Sequence, residues 1–230
     1  MPMRNKRGFT LVELLAAIGA GIILIAAIYT AVTFGYRSSV AVERKVTALE
    51  DARAALELMS TEIRMASYNP NFALNPWPPR CDGAAAVPAY RGIQEATIND
   101  ITVQMDISEN SIIGDNANEI IRYAYDTANQ RITRSTNCGG AQPFLGDAVA
   151  NVNQRTVRVI NNDLNISVFR YFNGTGTEIA AASLPGSIPD IRRIDITLAV
   201  ETEHVDPNTN QRRRLIYSTS VIPRNHAPTL

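Results

Sequence analysis

From Phe9 to Phe34 the chain runs through 26 residues in which Glu13 is the only charged side chain. A bilayer's hydrocarbon core takes roughly 20 helical residues to span, so this run predicts a membrane helix. Arg4, Lys6 and Arg7 precede it and the next basic residue, Arg37, lies beyond it. That asymmetry puts the N-terminus in the cytoplasm and the rest of the chain outside it. A cleaved secretory signal has a shorter apolar region, roughly 7 to 15 residues, closed by small residues at the cleavage site. Here the run is longer, and the small residue, Gly8, comes before it.

Glu13 is the odd element. A carboxylate at membrane depth costs on the order of 2.5 to 3.5 kcal/mol on insertion scales, so it calls for a partner. A cut between Gly8 and Phe9 would create an α-amine about one helical turn away, able to neutralise the carboxylate inside lipid or a packed filament. A stray acid in a plain signal anchor is the alternative. The basic leader followed by Gly8-Phe9-Thr10-Leu11-Val12-Glu13 resembles the type IV prepilin signal. The resemblance implies cleavage after Gly8 by prepilin peptidase, N-methylation of Phe9, and docking of Glu13 against a neighbouring subunit's N-terminus.

The chain has 230 residues, and removing a long helix leaves about 160 for one globular unit. Charge is balanced at 22 basic and 22 acidic residues; without Arg4, Lys6 and Arg7 it becomes 19 against 22, which argues for no polyanionic partner. Cys81 and Cys138 are the only cysteines. Outside the cytoplasm they can form a disulfide closing a 58-residue stretch, for about 4 kcal/mol on the chain-entropy account. Two separately buried thiols are the alternative; metal binding is disfavoured because no His or Asp cluster accompanies them.

Past the apolar run, Val42, Val46, Leu49, Ala52, Leu56, Met59, Ile63 and Ala66 recur at steps of three and four. This predicts an amphipathic continuation of one helix from Phe9 to Tyr68, ended by Asn69-Pro70 and about 90 Å long. Asn69 to Pro88 reads as a proline-rich loop. Alternation at Ile101, Val103, Met105 and Ile107 predicts a strand, and Glu119–Tyr125 with Arg131–Thr136 a hairpin. Val157–Ile160 and Ile166–Phe172 follow. A final pair has Ile194, Ile196, Leu198 and Val200 alternating against Leu215, Tyr217, Thr219 and Val221. Helix first and strands after define an α+β domain with an antiparallel sheet packed on the helix.

No catalytic constellation assembles from the sequence. His204, assigned to a strand, and His226, in the tail, read as surface histidines far from any nucleophile motif. Asp206-Pro207-Asn208-Thr209-Asn210 echoes the opening of a calcium loop, but Gln211 replaces the required glycine and Tyr217 the closing glutamate, so a hairpin turn is expected. Arg212, Arg213 and Arg214 face Glu201, Glu203 and Asp206, which predicts cross-strand ion pairs rather than nucleic-acid contact. Asn165-Ile166-Ser167 and Asn173-Gly174-Thr175 are glycosylation sequons that a bacterial host would leave unused.

The segment Ala52–Tyr68 is similar to the end of the helix in PilW-type minor pilins, and Ile191–Leu198 with Ser220–Asn225 resembles their final hairpin. Major pilins usually carry a proline in the membrane half of the helix, where this chain has Thr30. The resemblance implies a type IV pilin-like fold: a leader at 1–8, a membrane or filament-core half of the helix at 9–35, an amphipathic half at 36–68, and a periplasmic domain at 69–230. It further implies a minor pilin, non-enzymatic and without cofactor, in the bacterial inner membrane and then the pilus. Its partners would be other minor pilins, the major pilin, prepilin peptidase and the assembly machinery, with no small-molecule substrate and no nucleic acid. A GspJ-type pseudopilin of a type II secretion system shares signal, helix and sheet. A tip adhesin is a further alternative, with the unmatched stretch from Pro70 to Val152 as its binding surface.

Overall fold

The computed structural model describes residues 8–146 and 155–226. Arg4, Lys6, Arg7 and Val152 lie outside the described residues, as does the Pro185 side chain. One helix, α1 (Leu11–Arg64), dominates the N-terminal third, at 54 residues and about 80 Å. The fold is α+β, the type IV pilin-like arrangement: a long N-terminal helix followed by antiparallel strands. Those strands divide between two sheets, where the sequence pattern anticipates one.

Helix α1 splits in packing as it does in composition. Its apolar first half meets no other part of the described chain, and its buried residues are Ala48, Ala52, Ala55, Leu56, Met59 and Ile63. Val42 and Val46, expected in the buried stripe, are instead 59% and 44% exposed. The expectation fails there because Val42 and Val46 sit about 80° and 120° around the helix from Ala52, off the face that the domain covers, whereas Arg44 at the same level reaches the Val205 carbonyl. Small residues at the top of the stripe let the strands approach, and Met59 and Ile63 then fill the space, each burying apolar surface for about 2 kcal/mol. The helix also ends earlier than Asn69-Pro70 suggests. Met65 and Ala66 donate to Glu62 and Ile63 carbonyls in tightened turns, and Ser67 takes φ +66, which no helix continues through.

The first sheet runs in the order β1 (Ile93–Ala96), β2 (Asp100–Gln104), β3 (Ile120–Asp126), β4 (Arg131–Thr136), β5 (Gln142–Leu145). The predicted hairpin is β3 and β4, in register from Ile121↔Thr136 to Asp126↔Arg131. In β2 the polar alternates Thr102 and Gln104 are buried as well, while Ile107, past the strand, is 38% exposed. The second sheet is built on β8 (Arg193–Thr202), the longest strand. One edge of β8 carries β6 (Val157–Val159) and β7 (Phe169–Phe172) end to end; the other carries β9 (Arg214–Val221). Ile166 lies outside β7 because Asn165 turns the chain at φ +54.

The sheets are joined where their strands meet: Tyr125 Oη donates to the Val159 carbonyl at 2.9 Å, and Tyr171 Oη to the Thr97 carbonyl at 2.9 Å. Burial pushes the Tyr171 phenol well above its ordinary range, so it stays a donor. A single core of buried side chains from α1 and both sheets results.

Candidate functional site at the N-terminal helix

Thr10 is the N-cap of α1, in extended backbone at φ −84 and ψ 154. Its hydroxyl accepts from the Glu13 backbone N–H at 3.3 Å, and its own N–H donates to Glu13 Oε2 at 2.9 Å. This is a reciprocal capping box, which satisfies two of the helix's unpaired donors. The Thr10-x-x-Glu13 spacing carried that signal, and the reading of Glu13 as the partner of a new α-amine did not use it. The cap stops the helix at Leu11, so Gly8 and Phe9 stand outside it; Phe9 is 91% exposed. The peptide bond between them is therefore held in an accessible strand of chain.

From Leu14 to Phe34 the helix leaving this cap carries no charged side chain, and it is long and apolar enough to cross a membrane. Thr30 and Thr33 return their hydroxyls to the Ala27 and Tyr29 carbonyls at 2.8 and 2.7 Å, so neither presents an unpaired donor to lipid. Gly19, Gly21 and Gly35 have open space at the Cβ position, leaving room for close approach by another helix.

The far half of α1 is fastened to the domain by charge as well as packing. Glu62 receives Arg134 Nη2 at 2.7 Å and Nε at 3.1 Å, and Tyr123 Oη donates to the same carboxylate. Burial and the Glu62 charge raise the Tyr123 phenol, and the bond to Glu62 raises the Arg134 guanidinium. Arg44 Nη1 reaches the Val205 carbonyl at 2.8 Å, Thr156 donates to Asp51, and the Arg53 guanidinium lies 5.8 Å from the Tyr217 ring centre. A pull on the apolar half is thus transmitted to both sheets.

Cys81 and Cys138 form a disulfide, with Cα atoms 5.0 Å apart. It ties the proline-rich loop to the turn after β4. Beside it lies a cavity of about 270 Å³ lined by Arg80, Cys81, Asp82, Glu95, Thr102 and Arg122. Its charges are matched within the chain: Arg80 to Asp82 at 2.9 Å, and Arg122 to Glu95 and Asp100 at 3.1 and 2.7 Å.

The arginine run pairs across the β8–β9 hairpin as expected, Arg214 with Glu201 and Arg213 with Asp206, both at 2.8 Å. Glu203 pairs elsewhere, with Arg158, whose guanidinium holds its carboxyl below the ordinary range. Asp206 caps the turn through the Asn208 N–H at 2.8 Å. His204 is exposed but lies past the end of β8 rather than within it. His226 is not a surface residue: it is 1% exposed, Nδ1 is 2.9 Å from Ser67 Oγ, and Nε2 is 2.9 Å from the Ile188 carbonyl. A carbonyl only accepts, so Nε2 carries the proton and Nδ1 accepts from Ser67. Ser67 Oγ in turn accepts from the Gly92 N–H at 3.0 Å. Both side chains are buried and spend their bonds joining the helix end, the first sheet and the C-terminal segment, so the pair works as a clamp.

These features define a type IV prepilin-like protein: a capped, exposed junction before a bare apolar helix that is anchored in an α+β domain. Residues 3–29 match the family model of the prokaryotic N-terminal methylation motif. No curated protein and no solved structure matches the chain.

Proposed function

We propose that the protein is a PilW-like minor pilin, a structural subunit that takes part in initiating, assembling or capping a type IV pilus. The observation that carries this reading is the continuity of α1, which runs from the capped Gly8-Phe9 junction to the Glu62–Arg134 pair without a break. In this reading residues 1–8 are removed between Gly8 and Phe9 and Phe9 is methylated. Residues 9–35 sit in the inner membrane and then in the filament core, and the globular part from residue 69 stays periplasmic or at the pilus tip or base.

Removal of the leader releases a cationic amine beside Glu13. The carboxylate then exchanges its bonds to Thr10 for pairing with the amine of a neighbouring subunit, which offsets the cost of carrying it into an apolar core. Lipid contacts are replaced by helix contacts of similar character, so extraction needs only the work of the assembly machinery. Other minor pilins, the major pilin and prepilin peptidase are the partners this scheme requires.

A clean deletion, scored in parallel for surface pili with twitching and for secreted enzymes, tests the assignment. Loss of pili with secretion intact is the expected result. Loss of secretion with pili intact would assign the chain to a type II secretion system as a GspJ-like pseudopilin.

A further inference from the structure

Strand β9 leaves one edge unpaired. Its ladder to β8 is continuous for eight pairs, from Glu201↔Arg214 to Ile194↔Val221, with no bulge. Among the described residues no backbone group bonds to its other side. The Thr202 N–H donates to the Arg213 carbonyl, whereas Thr197 and Ala199 bond to the opposite edge of β8. The odd-numbered residues of β9 therefore pair with β8, and Arg214, Ile216, Ser218 and Ser220 turn their N–H and C=O groups outward.

Exposed edges are normally blunted by charge, proline or a bulge. From Leu215 to Ile222 this edge has none of these: the residues are Leu-Ile-Tyr-Ser-Thr-Ser-Val-Ile. Ile216 and Ile222 stand 56% and 61% exposed on the outer face. On the inner face the flank of α1 is open as well. Val42 and Val46 lie within about 20° of Arg53 around the helix, and Arg53 is the residue stacked on Tyr217 of β9. A strand added to β9 would cover Val42 and Val46, the two members of the apolar stripe that the domain leaves bare.

The direction of β9 decides what can occupy this edge. Its hairpin turn meets α1 at Arg44, Tyr217 meets it at Arg53, and the segment after it meets Ser67 through His226. Strand β9 thus climbs α1 in the helix's own direction. Antiparallel pairing of two β9 edges would point the two membrane halves in opposite directions. A two-fold axis along the strands would set each N–H against the same N–H. Symmetric pairing of two β9 edges is therefore excluded for copies anchored in one membrane.

We infer that the free edge of β9 accepts an extended, uncharged strand from a different pilin-type subunit standing parallel to this one. The inference rests on the pilin reading, because a shared membrane supplies both the common orientation and the high effective concentration that one added strand requires.

The test uses the full-length chain in its host membrane, with a photo-crosslinking residue at Ile216 and, separately, at Leu24 in the apolar half. At Ile216 the expected adduct is a chain that carries its own methylation motif, identified by mass spectrometry. In that background Ser218→Pro removes one outward N–H and leaves the β8 ladder whole, and Ser218→Lys adds a charge to the edge. Either change should lower the adduct about tenfold with an unaltered melting curve. An Ile216 adduct with a second copy of this chain, or none while Leu24 still crosslinks, would overturn the edge inference and leave the pilin reading standing. Absence of adducts at both positions would overturn both.

Discussion

Ser67 Oγ and His226 Nδ1 lie 2.9 Å apart in the core, where the end of the long helix meets the segment that follows the last strand. Burial lowers the imidazole pKa to about 4, opposed by its bond to the Ile188 carbonyl and aided by Arg192 and Arg91. The unfolded chain would bind a proton near its ordinary value of 6.5, so between those values only the unfolded state is protonated. The clamp's contribution is therefore complete above pH 6.5 and falls as the pH drops towards 4, by about 3 kcal/mol in all. Thermal melts of the wild type and His226→Gln across that window should show the wild type losing its advantage; parallel curves would contradict the assignment.

Glu62 serves two donors, Tyr123 and Arg134, at a site where its side chain is 14% exposed. Arg134→Ala leaves that carboxylate without its cation and should cost about 3 kcal/mol, near the range for breaking a largely buried pair. For a chain of this size that is a drop of roughly 6 to 12 °C in melting temperature. Arg134→Lys, which lacks the two-pronged geometry, should recover only part of it.

Gly92 stands where a Cβ would lie 2.3 Å from both the Ser67 nitrogen and the Gln104 carbonyl oxygen, all backbone atoms that cannot move aside. Gly92→Ala should therefore destabilise the domain by more than about 2 kcal/mol. Gly176, with φ +82 and open space around it, should accept alanine at a smaller cost, of order 1 kcal/mol, arising from φ alone. Equal losses at the two sites would refute the close-approach account.

Cys81 and Cys138 close a long stretch, and their loss should lower stability by about 4 kcal/mol on the loop-entropy account. A non-reducing gel should show Cys81→Ser running as the reduced wild type does. Equal melting temperatures for the two would show the bridge to be silent in stability.

Much of this architecture was legible because its signals are periodic. The apolar run, the β3–β4 hairpin and the alternation in β8 and β9 are patterns in which burial follows sequence directly. Other features depend on what the chain meets after folding. Strand β1, Ile-Gln-Glu-Ala, buries both Ile93 and Gln94 and so shows no alternation, and β5 carries Pro143, tolerated because it is an edge strand. Val42 and Val46 follow the three-and-four spacing but drift around the helix to the Arg53 flank, off the face that the domain covers. His226 gave no signal, since its partners Ser67 and Ile188 are 159 and 38 residues away. At the N-terminus the prepilin-like motif was legible in full, and the capping box that holds Gly8 and Phe9 outside the helix gives it a structural cause.

The central claim is that Gly8-Phe9 is a processing junction whose product is an amine matched to Glu13. Mass spectrometry of the N-terminal peptide from chain purified out of its native membrane tests it most directly. The account predicts a mature chain beginning at N-methylated Phe9, with Glu13→Ala still inserted in the membrane but absent from pili. An N-terminus at Met1, or a cut at any other bond, would contradict it.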